Sequence, residues 1–127
     1  MSVNSTYLQM LSTVTETGKL RLELKEQETP KPNADQVLVR IEAAPINPSD
    51  LGVMFGFTDM SAATSTGTGG DTVLAAPVSE QGMRVMKARV GQALAVGNEG
   101  AGTVVATGDS DAAKSLDGKI VAIAGGQ

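Results

Sequence analysis

The sequence contains no histidine, no cysteine and no tryptophan, and only one tyrosine and two phenylalanines in 127 residues. Without thiols or imidazoles, a structural zinc site of the usual nitrogen and sulfur type cannot be assembled. A Ser-His-Asp or Cys-His nucleophile is excluded on the same ground. Proton transfer would fall to carboxylates, lysines, Tyr7 or groups on a ligand. Zero cysteines also exclude disulfides, which fits a reducing compartment and gives a cytoplasmic expectation. The scarcity of aromatics requires an aliphatic core of Val, Leu, Ile, Ala and Met. No apolar run approaches the roughly 20 residues that span a bilayer, and the first six residues carry neither the basic nor the apolar region of a signal peptide. The net charge is −4 and no basic cluster is present, so neither nucleic acid nor an anionic membrane is an expected partner.

What is present suits one domain, long enough to bury about two-thirds of its unfolded surface. Residues 7–13 are β-prone and run into the turn signal Glu16-Thr17-Gly18-Lys19. Leu20, Leu22 and Leu24 then alternate with Arg21, Glu23 and Lys25, the period of a half-buried strand. This predicts a hairpin turning near Gly18. Residues 29–33, Thr-Pro-Lys-Pro-Asn, form a linker. Val37, Val39 and Ile41 alternate with Leu38, Arg40 and Glu42, which predicts a third strand.

That strand delivers the chain to Ala43-Ala44-Pro45-Ile46-Asn47-Pro48-Ser49-Asp50-Leu51. Each proline fixes φ near −65° and removes a donor, and Asn47, preceding Pro48, is pushed towards extended backbone. Ser49 and Asp50 suit a first helical turn, so a helix is expected to Phe55, stopped by Gly56. A polar asparagine is thereby held at a stiff strand-to-helix corner, either as a structural corner alone or as a functional one. Residues 58–71 are rich in Ser, Thr, Ala and Gly and cannot bury enough apolar area to offset their ordering entropy. They read as a flexible surface loop, with a lid over the corner as the alternative.

Val73 and Leu74 suggest a short extended piece before Pro77. Ser79 reads as an N-cap. Met83, Met86 and Val90 predict one amphipathic helix closed by Gly91, with the methionines as core filler. Gly97-Asn98-Glu99-Gly100-Ala101-Gly102 reads as a second polar, glycine-rich turn, and Thr103–Ala106 as a strand. Residues 110–115 suit one helical turn, Asp117-Gly118 a tight turn and 119–124 a last strand. The sum is a mostly β domain, expected as a Greek-key or partly open barrel.

The corner at 43–51, the run Gly97-Asn98-Glu99-Gly100-Ala101-Gly102-Thr103-Val104 and the stretch Asp117-Gly118-Lys119-Ile120-Val121 together resemble the amino-terminal domain of the medium-chain dehydrogenase/reductase superfamily. The zinc-free branch of quinone and enoyl-thioester reductases is the most similar. The resemblance implies a GroES-like partly open β-barrel. It implies hydride transfer from NADPH or NADH to a quinone or other conjugated carbonyl.

In the zinc alcohol dehydrogenases of that superfamily a cysteine ligand stands at the place of Asn47 and a histidine ligand at the place of Asn98. Both are asparagine here, so no zinc is implied. Asn47 and Asp50 match polar positions lining the cofactor and substrate cleft. Glu99 matches a glutamate at the cleft wall, with bonding of backbone amides in the glycine turn as the alternative role. Enoyl-thioester reductases carry a catalytic tyrosine about where Thr58 stands, and the only tyrosine here is Tyr7. This favours quinones or other conjugated carbonyls, with Thr58 offering a hydroxyl. The family's nucleotide-binding βαβ unit has no counterpart in these residues, because Gly97 to Gly102 precedes a strand rather than opening a helix. The chain is therefore expected to be an amino-terminal fragment of a longer reductase, and to self-associate as a homodimer. The alternative is a non-catalytic GroES-like binding or assembly module.

Overall fold

A computed structural model describes residues 2–125. In chain order the strands are β1 (Thr6–Val14), β2 (Lys19–Glu28), β3 (Val37–Ala43), β4 (Thr64–Thr66), β5 (Val73–Pro77), β6 (Ala93–Ala95), β7 (Glu99–Thr107) and β8 (Ile120–Ala124). Three short α-helices intervene: α1 (Pro48–Phe55), α2 (Glu80–Val85) and α3 (Asp111–Lys114). The class is mostly β, as the alternation and turn signals imply. The strands form two open sheets, one of five strands in the order β4-β5-β2-β1-β6 and one of three in the order β3-β7-β8. No described helix is long and apolar enough to cross a membrane.

The fold divides into two compact units. One comprises residues 8–26 and 46–96. Its centre is the β1–β2 hairpin, closed where Thr15 N–H donates to the Lys19 carbonyl at 2.7 Å, with Gly18 at a φ of 77°. Val14, Leu20, Leu22 and Met86 form the buried core, and Met54, Phe55, Leu74, Val78, Met83, Val90 and Val96 pack against it. Leu20 and Leu22 of β2 therefore face inward, while Leu24, which continues the same period, is exposed; Arg21 and Glu23 form an ion pair at 3.0 Å on the other face. β5 lies antiparallel beside β2, with Leu20 opposite Ala76 and Leu22 opposite Leu74.

Residues 58–71 depart from the expected irregular loop. They contain a 3-10 turn at Met60–Ala62, strand β4 and a second 3-10 turn at Gly69–Asp71. β4 pairs with β5, Thr64 opposite Ala75 and Thr66 opposite Val73, although its side chains are all exposed. Composition underestimates such a segment because the ladder uses backbone N–H and C=O groups, which every non-proline residue carries.

The expected amphipathic helix is also shorter than its period suggests. Ser79 caps α2, its Oγ accepting from Gly82 N–H at 3.0 Å. At Met86 the chain leaves α geometry for a 3-10 turn over Lys87–Arg89. That departure lets Gly91 N–H reach the Val14 carbonyl at 2.8 Å. Met83 and Met86 join the core, as the spacing implies.

The other unit comprises residues 2–7, 27–45 and 97–125. Here β7 runs between β3 and β8, antiparallel to both. Val104 at its middle is fully buried, and Ala113 of α3 is nearly so. Ser110 caps α3, its Oγ accepting from Ala113 N–H at 3.1 Å. The glycine-rich run at 97–102 is not a turn beyond Gly97, because β7 begins at Glu99. The glycines serve close approach instead. A Cβ on Gly102 would collide with the Arg40 carbonyl, and one on Gly100 would press on Ile41 Cδ1 at 3.2 Å. On this unit's β3–β7 pair, Glu42 Oε1 accepts from Arg40 Nη2 at 2.8 Å and from Thr103 Oγ1 at 3.1 Å. These bonds, Arg40's first, hold the Glu42 carboxyl below its ordinary value.

Candidate functional site

The Pro-Ile-Asn-Pro corner becomes the N-terminus of α1. Asn47 is the N-cap, extended at φ −90° and ψ 156°, and Pro48 opens the first turn, where its missing N–H costs nothing. Asn47 and Asp50 form a capping box. In it, Asn47 N–H donates to Asp50 Oδ2 at 2.8 Å, and the box satisfies donors that a helix start otherwise leaves orphaned. Asp50 is only 5 % exposed, and a buried carboxylate at a helix N-terminus is stabilised by the backbone donors gathered there. Asn47 itself is half-buried. The corner is thus pre-shaped by its own sequence.

The other end of α1 is tied down from a distance. Its last carbonyls lack helical partners. Ser12 of β1, fully buried, donates its hydroxyl to the Val53 carbonyl at 2.7 Å. Arg89 Nη2 in turn donates to Ser12 Oγ at 2.8 Å and to the Ser12 carbonyl at 3.3 Å. A cation near a helix C-terminus also complements the helix dipole. Burial pushes the Arg89 guanidinium below its ordinary value, and its Nε is buried without a hydrogen-bond partner. Neither Ser12 nor Arg89 is marked by any local pattern, since the two bonded positions lie 77 residues apart.

Beyond α1 the chain reverses. Gly56 lies at φ −56° and ψ 130°, and Phe57 at a φ of 61°. Thr58 N–H closes the turn on the Phe55 carbonyl at 3.1 Å, a type II turn by these angles. Thr58 Oγ1 donates to that same carbonyl. A bulky residue in the left-handed region costs about 1–2 kcal/mol, so the surroundings must hold Phe57 there.

Asn47, Asp50 and Thr58 therefore share one compact unit, the first two at the start of α1 and the third just past its end. Asn98 and Glu99 belong to the other unit. Asn98 is exposed, and its carbonyl accepts from Gly125 N–H at 2.7 Å. Glu99 opens β7 opposite Ala124. Chemically, the α1 region offers neutral amide and hydroxyl groups and a buried carboxylate. Such groups bind and orient hydroxyls and carbonyls.

No protein-family model matches this chain, and no curated protein matches it.

Proposed function

We propose that the chain is the substrate-side, GroES-like domain of a zinc-independent NAD(P)H-dependent oxidoreductase that reduces quinones or other conjugated carbonyls by hydride transfer. The observation that carries this reading is the corner itself. Two prolines and a capping box hold Asn47 and Asp50 in one arrangement, which is the preorganisation that substrate positioning needs. The mostly β, antiparallel architecture agrees with it. So does the entry of Gly97–Gly102 into strand β7, since a phosphate loop would open a helix.

A reduced nicotinamide would supply the hydride, and the protein's part is binding, orientation and polarisation. Asn47 would orient the nicotinamide ribose or the acceptor oxygen through its amide. Asp50 fixes the Asn47 backbone and with it the corner. Thr58 would present its hydroxyl oxygen; Asn98 and Glu99, which belong to the other unit, are cofactor contacts only as the family resemblance implies.

The test is turnover by the complete product of the gene that encodes these residues, followed as NADPH or NADH oxidation with a naphthoquinone and with a 2-enone. Asn47→Ser keeps a good N-cap and removes the amide. The expected result is acceptor-dependent oxidation that falls roughly ten- to hundredfold in Asn47→Ser, since an orienting hydrogen bond contributes about 1–3 kcal/mol, with little change in melting temperature. Absence of turnover with either nucleotide and both acceptors overturns the reading. One observation favours a second, that of a non-catalytic binding module: the capping box already gives Asn47 and Asp50 a structural task. Under that reading Asn47→Ser and the parent protein are indistinguishable in every assay.

A further inference from the structure

Phe57 occupies a backbone position that normally belongs to glycine. Among the described residues it is the only non-glycine with a positive φ, and it holds the third place of a type II turn, where glycine or asparagine is usual. The chain has a glycine one residue earlier, where φ is −56°. It spends one of its two phenylalanines on the strained place and leaves that residue 46 % exposed.

The surroundings over-determine this conformation. The Phe57 carbonyl accepts from Ser79 N–H at 2.9 Å, and Asp59 N–H donates to the Pro77 carbonyl at 2.9 Å. Thr58 and Val78 form an antiparallel bridge between these bonds. The base of the Phe57 side chain rests where Gly82 has no Cβ; a side chain there would strike Phe57 Cβ. The root of the ring is thus packed and fixed while nearly half of the residue faces solvent, directly before Thr58. Strain maintained in this way concentrates at ligand clamps, and a flat π face is what glycine or asparagine could not supply at that position.

We propose that Phe57 is an aromatic platform on which a flat conjugated acceptor, a quinone or aryl enone, stacks. The proposal rests on the oxidoreductase reading above and narrows its acceptor to a flat one that stacks on an aromatic ring.

The experiment is a titration of the isotopically labelled chain with 2-methyl-1,4-naphthoquinone, read by amide NMR shifts. The absence of cysteine prevents thiol addition to the quinone. Saturable shifts are expected at residues 56–59 and at Gly82. Phe57→Leu, which keeps apolar bulk, should weaken binding about three- to tenfold, the range of an aromatic stacking contact, and Phe57→Trp should restore it. Phe57→Asn suits the left-handed backbone and lacks the ring. It should retain or raise the melting temperature while losing the shifts, which separates strain from binding. Shifts confined to other residues, or equal affinity in Phe57→Leu, would overturn the platform. Quinone binding at Phe57 in a protein whose complete gene product oxidises no NAD(P)H would sustain the platform and overturn the oxidoreductase. Turnover indifferent to Phe57→Leu would do the reverse.

Discussion

Ser12 is a single hydroxyl on which two distant groups converge. It donates to the Val53 carbonyl and accepts from Arg89. Ser12→Ala would leave a helix-terminal carbonyl unsatisfied and strip a partly buried guanidinium of its best acceptor. The expected loss is about 1–3 kcal/mol, seen as a lower urea midpoint with an unchanged slope. Pairing Ser12→Ala with Arg89→Met in a double-mutant cycle should give a coupling of about 0.5–3 kcal/mol. A coupling near zero would mean that water serves Arg89 as well as Ser12 does. Neither residue's task was legible in the sequence. Ser12 sits in a β-prone run like any strand serine, and Arg89 reads as one more charge on an amphipathic helix. Their partners are fixed only by tertiary folding.

At the scale of elements, legibility follows the range of the forces. The β1–β2 hairpin, β3 and α1 were readable because their causes are local: a period of two, a glycine at the turn, and a Pro-Ile-Asn-Pro-Ser-Asp cap. Loss of that cap in Asn47→Ala should cost about 1 kcal/mol, and Asn47→Ser should recover most of it in thermal melts. Gly52, inside α1, has open space where a Cβ would stand, so Gly52→Ala should stabilise by about 0.5–1 kcal/mol. β4, the break after α2 and the strand at Glu99–Gly102 were not readable, because each depends on a partner strand elsewhere in the chain. The turn at Met60–Ala62 shows how pH enters. Asp59 Oδ1 accepts from Ser61 Oγ and from Ser61 N–H, and these bonds, the hydroxyl's first, lower its pKa below 3.8. A carboxyl with a depressed folded pKa contributes stability above its unfolded value, and that contribution disappears as pH falls through the folded one. Melting temperatures taken at about pH 5 and about pH 3 should therefore converge more in Asp59→Asn than in the parent protein. Equal slopes would assign the acid sensitivity to other carboxylates.

For the whole molecule, composition settled the class. An aliphatic chain with short alternating runs and frequent turn residues has few ways to bury a core other than in sheets. Composition could not anticipate two units or the strand order, since both depend on pairings between distant segments. In the proposed role, the nucleotide's pyrophosphate needs a helix N-terminus preceded by a strand and a glycine turn. The glycine-rich run of this chain is itself part of β7 from Glu99 onward. Calorimetric titration of the chain with NADPH should accordingly give no dissociation constant tighter than about 1 mM, against roughly 8 kcal/mol for micromolar binding. Sedimentation velocity over a concentration series would decide the expected dimer.

The close pairing of β3 with β7 at Gly102 also has a meaning for the gene. Every amino acid one nucleotide change away from a glycine codon bears a β-carbon, and any β-carbon at that place meets the Arg40 carbonyl. No step in codon space leaves this position without spreading the two strands, a distortion of the overpacking kind that costs typically about 1–3 kcal/mol and occasionally more. Random mutagenesis with selection for folded protein should return codon 102 changed only among its synonyms, whatever becomes of the surrounding surface.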